Sequence, residues 1–136
     1  MLVIDASVVI KWFLEKKDSR QALILKNEHI NGKNILIAPD LIIYEVVNVL
    51  ARSKIFSPLE ITRSIQDLYE LEIDLINPSI DIILSATEFA LHKHISIYDA
   101  SYLALAKELD LKLVTADEKL YTSVKEQLDI VLLSQM

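Results

Sequence analysis

Five short apolar runs alternate with longer helical patterns along this chain, and that alternation constrains its fold more than any other feature. The runs are Leu2–Ile4, Ile35–Ala38, Ile73–Ile76, Lys112–Thr115 and Ile130–Leu133. They are rich in Ile, Val and Leu and too short for helices, so they read as strands. The segments between them predict helices over Ser7–Glu15, Ser19–Asn31, Asp40–Ser53, Pro58–Leu71, Ser79–His92, Ala100–Leu109 and Glu118–Leu128. Several carry start signals. Ser57-Pro58-Leu59-Glu60 is a capping box with proline at the first helical position. Pro78-Ser79 ahead of Asp81 places a cap and an acid in a first turn, and Pro39-Asp40 is expected to do similar work after the second strand. Strands that are apolar throughout and alternate with helices predict an α/β fold with a parallel sheet covered on both faces. Ile95–Tyr98 stays open between a sixth short strand and a loop.

The chain of 136 residues is expected to form one domain over 1–136, large enough to bury a real core. Its longest stretches without Lys, Arg, Asp or Glu are seven residues, such as Ala100–Ala106, so no membrane span is expected. The N-terminus lacks a basic leader region, and Asp5 and Lys11 interrupt it, so it does not read as a signal peptide. Absence of cysteine excludes disulfides, thiol catalysis and Cys-based zinc sites, and fits a cytoplasmic protein. The single glycine, Gly32, excludes Gly-rich phosphate loops. The net charge of −6 would argue against a polyanionic partner. Setting four of the 20 acids aside at a cation site leaves 16 against 14 basic residues, so acidity alone does not exclude nucleic acid.

Three apolar stretches end on aspartate just before a helical pattern: Leu2–Asp5, Ile95–Asp99 and Leu113–Asp117. Ligands of open parallel sheets bind beyond the carboxyl ends of strands, which is where Asp5 and Asp117 are expected; Asp99 sits at a helix start. Each aspartate alone is well explained as a helix cap. Together they invite another reading, because Ser7 is available to cap the first helix and leave Asp5 spare. Two carboxylates about 6 Å apart repel by about 3 kcal/mol at an effective dielectric near 20. A cluster of them must hold protons or bind a cation, and all-oxygen ligands suit Mg²⁺ or Mn²⁺. A fourth acid, Glu45, shares a stripe with Asn48 and Arg52 on a helix that is apolar nearly all round. That stripe is either the wet face of the helix or the wall of a site.

Four segments in order carry a family resemblance: Leu2-Val3-Ile4-Asp5-Ala6-Ser7; Pro39-x5-Glu45-x2-Asn48-x-Leu50; Tyr98-Asp99-Ala100-Ser101-Tyr102-Leu103-Ala104-Leu105-Ala106; and Leu113-Val114-Thr115-Ala116-Asp117. With these the chain resembles PIN-domain proteins, most closely the VapC-like toxin ribonucleases of type II toxin–antitoxin systems, over essentially its whole length. The resemblance implies a three-layer α/β/α sandwich around a central, mostly parallel five-stranded sheet. It also implies an acidic quartet, here Asp5, Glu45, Asp99 and Asp117, that binds Mg²⁺ or Mn²⁺ for RNA hydrolysis. Ser7 and Thr115 match supporting polar positions, and Asn48 is a candidate supporting donor. Further implied are an RNA substrate, a cognate antitoxin protein that reaches the acidic groove, and a homodimer. A catalytically silent PIN-type module that only binds RNA or protein is the alternative.

Other candidates rank lower. His92 and His94 lie two apart, on different helical faces, and are explained by a helix C-terminus. His29 is the only further histidine, too few for a His-rich zinc site. Trp12 and Phe13 read mostly as core. Lys11, Arg52 and Lys119 lie within a turn or two of a site acid and are candidates for phosphate contacts. A receiver-type phosphoacceptor would need paired acids after the first strand, where Ala6 follows Asp5; a haloacid-type phosphatase would need Asp-x-Asp, where Asp5-Ala6-Ser7 stands.

Overall fold

In a computed structural model that describes all 136 residues, the chain forms five strands: β1 (Leu2–Ile4), β2 (Leu36–Pro39), β3 (Asp74–Ile76), β4 (Leu113–Thr115) and β5 (Ile130–Leu132). Seven helices connect them: α1 (Ala6–Val9), α2 (Ser19–Ile30), α3 (Leu41–Arg52), α4 (Pro58–Glu70), α5 (Ile80–Lys93), α6 (Ile97–Leu109) and α7 (Glu118–Val124). All four strand pairings are parallel, in the order β3-β2-β1-β4-β5. Helices cover the sheet in a three-layer α/β/α sandwich, as expected. Leu2 pairs with Leu36, and Ile4 with Val114, which aligns the three central strands. These strands are buried on both faces, hence their unbroken apolar character.

The strand order creates the functional edge. From β1 the chain winds outward through β2 and β3, then crosses back to place β4 on the other side of β1. Connections on the two sides diverge at this switch point, leaving a crevice at the carboxyl ends of β1 and β4. Asp5 follows β1 directly, and Asp117 stands two residues beyond β4. Behind the crevice runs α6, whose residues Ala100–Ala106 are all buried. The charge-free stretch in the sequence is thus a helix enclosed by the sheet and α5.

Where boundaries differ from expectation, local chemistry explains most of it. The first helix is a single α turn that tightens into a 3₁₀ turn over Ile10–Trp12, rather than running to Glu15. Successive β-branched Val8, Val9 and Ile10 favour a helix weakly, and the Trp12 indole N–H is drawn away to donate to the Ala22 carbonyl at 2.9 Å. Ile95–Tyr98 is not a sixth strand: Ser96 caps α6 by accepting from the Asp99 N–H at 3.0 Å, so helix begins at Ile97. His94 adopts a left-handed conformation (φ 54°) and ends α5 two residues earlier. Ser57 with Glu60, and Ser79, cap α4 and α5 as predicted. Asp40 does not: its backbone is already helical and its side chain makes no cap bond. Helix α7 ends at Val124, and a turn delivers β5.

Candidate active site

Asp5 leaves β1 in extended conformation and caps α1 itself. Its Oδ1 accepts from the Ser7 N–H at 3.0 Å, the Ser7 hydroxyl at 2.5 Å and the Val8 N–H at 3.4 Å. The other oxygen, Oδ2, accepts from the Thr115 hydroxyl at 2.5 Å. The expectation that Ser7 caps the helix and frees Asp5 is therefore corrected. Ser7 lies inside the first turn and serves Asp5, while its Oγ accepts from the Ala116 N–H at 2.8 Å. Thr115 Oγ1 in turn accepts from the Asp117 N–H at 3.0 Å. This network ties the ends of β1 and β4 together across the crevice. Asp5 is only 5 % exposed. Burial pushes its carboxyl up from 3.8 to about 6, although the bonds from Ser7, Thr115 and Val8 pull the other way.

Thr115 is fully buried, and its hydroxyl holds both a carboxylate oxygen and a backbone N–H. Replacing it with Val keeps the shape and strands both groups. Thr115→Val is expected to cost about 2 kcal/mol of stability, since an unpaired buried polar group costs about 1–3 kcal/mol. Thr115→Ser should restore most of it. Urea unfolding checks this; a loss below about 0.5 kcal/mol would mean that solvent replaces the hydroxyl.

The other three acids come from three further elements. Asp117 caps α7, with Oδ1 accepting from the Lys119 and Leu120 N–H groups at 2.9 and 3.0 Å, and Oδ2 left unbonded. Asp99 is the third residue of α6, and its carboxylate makes no hydrogen bond within the chain. Glu45 projects from α3, where Oε2 accepts from the Tyr102 hydroxyl at 3.2 Å. Its carboxyl is pushed up from 4.5 to about 7. Burial is the main cause, the Tyr102 bond opposes it, and the negative charges of Asp99 and Asp5 add to it. The carboxylates thus feel one another.

Asp5, Glu45, Asp99 and Asp117 line one cleft of about 300 Å³, together with Ser7, Asn48 and Tyr102. No three of the acids stand close enough to form a ready-made metal cage. The donor set nevertheless fits a hard divalent cation. It is all oxygen, it concentrates like charge in a recess, and Glu45 Oε1, Asp117 Oδ2 and both oxygens of Asp99 are free of protein hydrogen bonds. Of the stripe of Glu45, Asn48 and Arg52, the first two line the acid cleft, and Arg52 lines an adjoining one. Lys119 lines another adjoining cleft. Lys11 lines none of the three; its Nζ donates to the Lys17 carbonyl at 2.5 Å, in a local loop contact. Tyr102 is the site residue that sequence reasoning missed. Its spacing of i+3 from Asp99 was the available signal. Burial and the neighbouring Glu45 and Asp5 carboxylates raise the pKa of this phenol far above its ordinary value, so it remains a donor.

The PIN-domain family model matches residues 2–125. The chain belongs to the PIN-domain family. This PIN domain is 30% identical over 123 residues to Ribonuclease VapC3 of Pyrobaculum aerophilum, covering 88% of this chain and 91% of that one. Its fold is shared with the crystal structure of PAE2754 from Pyrobaculum aerophilum, at a TM-score of 0.69 and 21% identity over 98% of this chain and 91% of the other. It is equally shared with a toxin–antitoxin complex from Klebsiella pneumoniae, at a TM-score of 0.70 and 20% identity over 96% of each chain. The four segments that carried the sequence resemblance lie within the matched region of the PIN domain.

Proposed function

We propose that this PIN domain is a divalent-metal-dependent endoribonuclease, the toxin of a toxin–antitoxin pair. The observation that carries the proposal is the convergence of four carboxylates from four elements on one cleft at the sheet's switch point. Similarity to a protein named Ribonuclease VapC3 supports the choice of reaction. Asp5, Asp99, Asp117 and Glu45 would hold Mg²⁺ or Mn²⁺. When bound, the ion supplies positive charge that offsets the carboxylates and the scissile phosphate and acidifies the attacking water.

The protein's own residues set up that chemistry. Thr115 and Ser7 lock Asp5 in one rotamer, so the cleft floor is rigid before any ligand arrives. Tyr102 fixes Glu45 through one oxygen and leaves the other without a hydrogen bond in the protein. Asn48, one helical turn along, lines the same cleft, where its amide would donate to a phosphate oxygen. Tyr102 is then a positioning residue. Tyr102→Phe is expected to weaken Mn²⁺ binding about tenfold, the lower end of what losing a supporting hydrogen bond costs. Thermal stability should change little, because the ring keeps its packing. Calorimetric titration with Mn²⁺ decides; unchanged affinity would remove Tyr102 from the site's support.

A cognate antitoxin, a homodimer and residence in the cytoplasm complete the proposal. The structural neighbour from Klebsiella pneumoniae, itself a toxin–antitoxin complex, supports the first. Helix α5 leaves Ile80, Ile83, Leu84 and Leu91 exposed on the surface, which supports an interface. No helix is long and apolar enough to cross a membrane. The direct test incubates purified protein with single-stranded RNA in Mg²⁺, in Mn²⁺ and in chelator. Internal cleavage with either metal and none in chelator is the expected result. Absence of cleavage across varied RNAs, with the metal shown to bind, would leave a silent binding module instead.

A further inference from the structure

Basic residues flank the acid cleft on two sides, in clefts that share walls with it. On one side, Asn48 and Val49 of α3 line both the acid cleft and a neighbour of about 530 Å³ that holds Lys16 and Arg52, with Glu15 as its one acid. On the other side, Asp99 and Asp117 line both the acid cleft and a neighbour of about 370 Å³ that holds Lys93, His94 and Lys119. The three hollows therefore adjoin in sequence: basic, acidic, basic. Each outer one has the volume of a small-ligand pocket. Helix α3 is the rail on the first side, since Glu45, Asn48 and Arg52 lie along one stripe. Seven residues at 1.5 Å each carry that stripe about 10 Å from the acids.

The cations in these two arms are unengaged. The ion pairs of the chain use Lys17, Lys33 and Lys112, whereas Lys16, Arg52, Lys93 and Lys119 pair with no carboxylate. In a chain of net charge −6, unpaired cations on both flanks of an acid pocket are complementary to a polyanion that crosses it. We infer that Lys16 with Arg52, and Lys93 with Lys119 and His94, form two arms of a track that grips a single-stranded RNA backbone on both sides of the cut. This deepens the nuclease reading and rests on it for what happens at the centre.

The track has a chemical logic. A phosphate alone is repelled by four carboxylates, so a substrate needs attraction from beyond the acid pocket to bring one phosphate over it. Two arms supply that attraction, and they make the cut internal, because nucleotides on both sides contribute to binding. A flexible single strand can bend one phosphate toward a floor where Asp5 is 5 % exposed.

The test measures anisotropy of a fluorescein-labelled single-stranded RNA of about 12 nucleotides, over a range of salt. It uses Asp99→Asn protein in Mg²⁺, which prevents turnover and leaves the arms intact. Lys16→Gln with Arg52→Gln removes one arm, and Lys93→Gln with Lys119→Gln the other. Lys33→Gln with Lys112→Gln is the control, because these residues precede β2 and β4 at the opposite edge of the sheet and carry the same charge change. Each arm variant is expected to bind roughly tenfold more weakly and to lower the slope of log K against log salt by about 1.4, the value for two lost single-strand phosphate contacts. The control should stay within about twofold. Equal losses in arm and control variants would show a general charge effect and overturn the track. So would displacement of the RNA by polyaspartate at comparable charge concentration, which would assign the arms to an acidic peptide. Cleavage by the wild-type protein is read separately. Arm-dependent binding without cleavage keeps the track and removes the nuclease, and cleavage with arm-independent binding does the reverse.

Discussion

Asp5→Asn and Asp99→Asn proteins are expected to fold and to lose RNA cleavage by at least about a thousandfold, the scale on which removing preorganised charge at a reacting phosphate acts. The two reach that result differently. Asp99 makes no side-chain hydrogen bond within the chain, so its amide replacement removes charge and little else. Asp5 is a cap as well as a site acid, and asparagine preserves the cap. Its carbonyl can accept from the Ser7 and Val8 groups, and its amide can donate to Thr115 Oγ1. Far-UV circular dichroism and melting temperature should therefore match or exceed those of the wild type. Retained cleavage in both purified variants would falsify the catalytic assignment.

Metal-free protein is expected to be most stable in acidic solution and to lose stability as pH rises from about 4 to just above 7. The sign follows from the two perturbed carboxyls. Asp5 and Glu45 bind protons more tightly in the folded state, at about 6 and about 7, than at their ordinary values of 3.8 and 4.5. Their contribution is complete below the unfolded values and is lost as pH rises through the folded ones. For buried Asp5 the shift corresponds to about 3 kcal/mol. Glu45, only partly buried, adds less once solvent screening is allowed for. Lowered carboxyls at Glu28 and Glu60 act in the opposite direction, weakened by solvent screening. About half of the Asp5 contribution is already lost by pH 5, so with the screened Glu45 share roughly 2 kcal/mol goes between pH 5 and 8. At roughly 3 °C per kcal/mol for a domain of this size, the melting temperature should fall by about 6 °C over that range in chelator. Millimolar Mn²⁺ should reverse most of that fall at pH 8, where no proton competes for the carboxylates. Asp5→Asn protein should show a shallower pH profile and a higher metal-free melting temperature at pH 8, a direct trade of stability for function. A melting temperature that stays flat or rises from pH 5 to 8 in chelator would exclude the uncompensated acid cluster.

Much of the fold was legible because its signals are local. The strands, the Ser57–Glu60 capping box and the Ser79 cap depend on neighbours within four residues, and the structure reproduces them. Ile95–Tyr98 was not legible in this way. Its apolar character fits a strand equally well, and only the hydrogen bond from the Asp99 N–H to Ser96 decides for a helix start. The choice offered for Asp5 and Asp117, cap or site wall, also dissolved in the structure. Each aspartate does both, because a carboxylate has more lone pairs than its cap consumes.

What the sequence determined by itself was the set of parts: parallel strands ending on acids, helices between them, and four motifs in family order. It could do so because hydrophobic period and capping are encoded over a few residues. Tertiary structure alone decided which parts meet. Strand order put β4 beside β1 and so joined Thr115 to Asp5 across 110 positions, while the meeting of α3 and α6 joined Tyr102 to Glu45 across 57. The fold also kept Lys11 out of the cleft and set Arg52 and Lys119 in two separate hollows that adjoin it. The physical reason is that burial, charge repulsion and long-range hydrogen bonds depend on distance in space, which local periodicity does not encode.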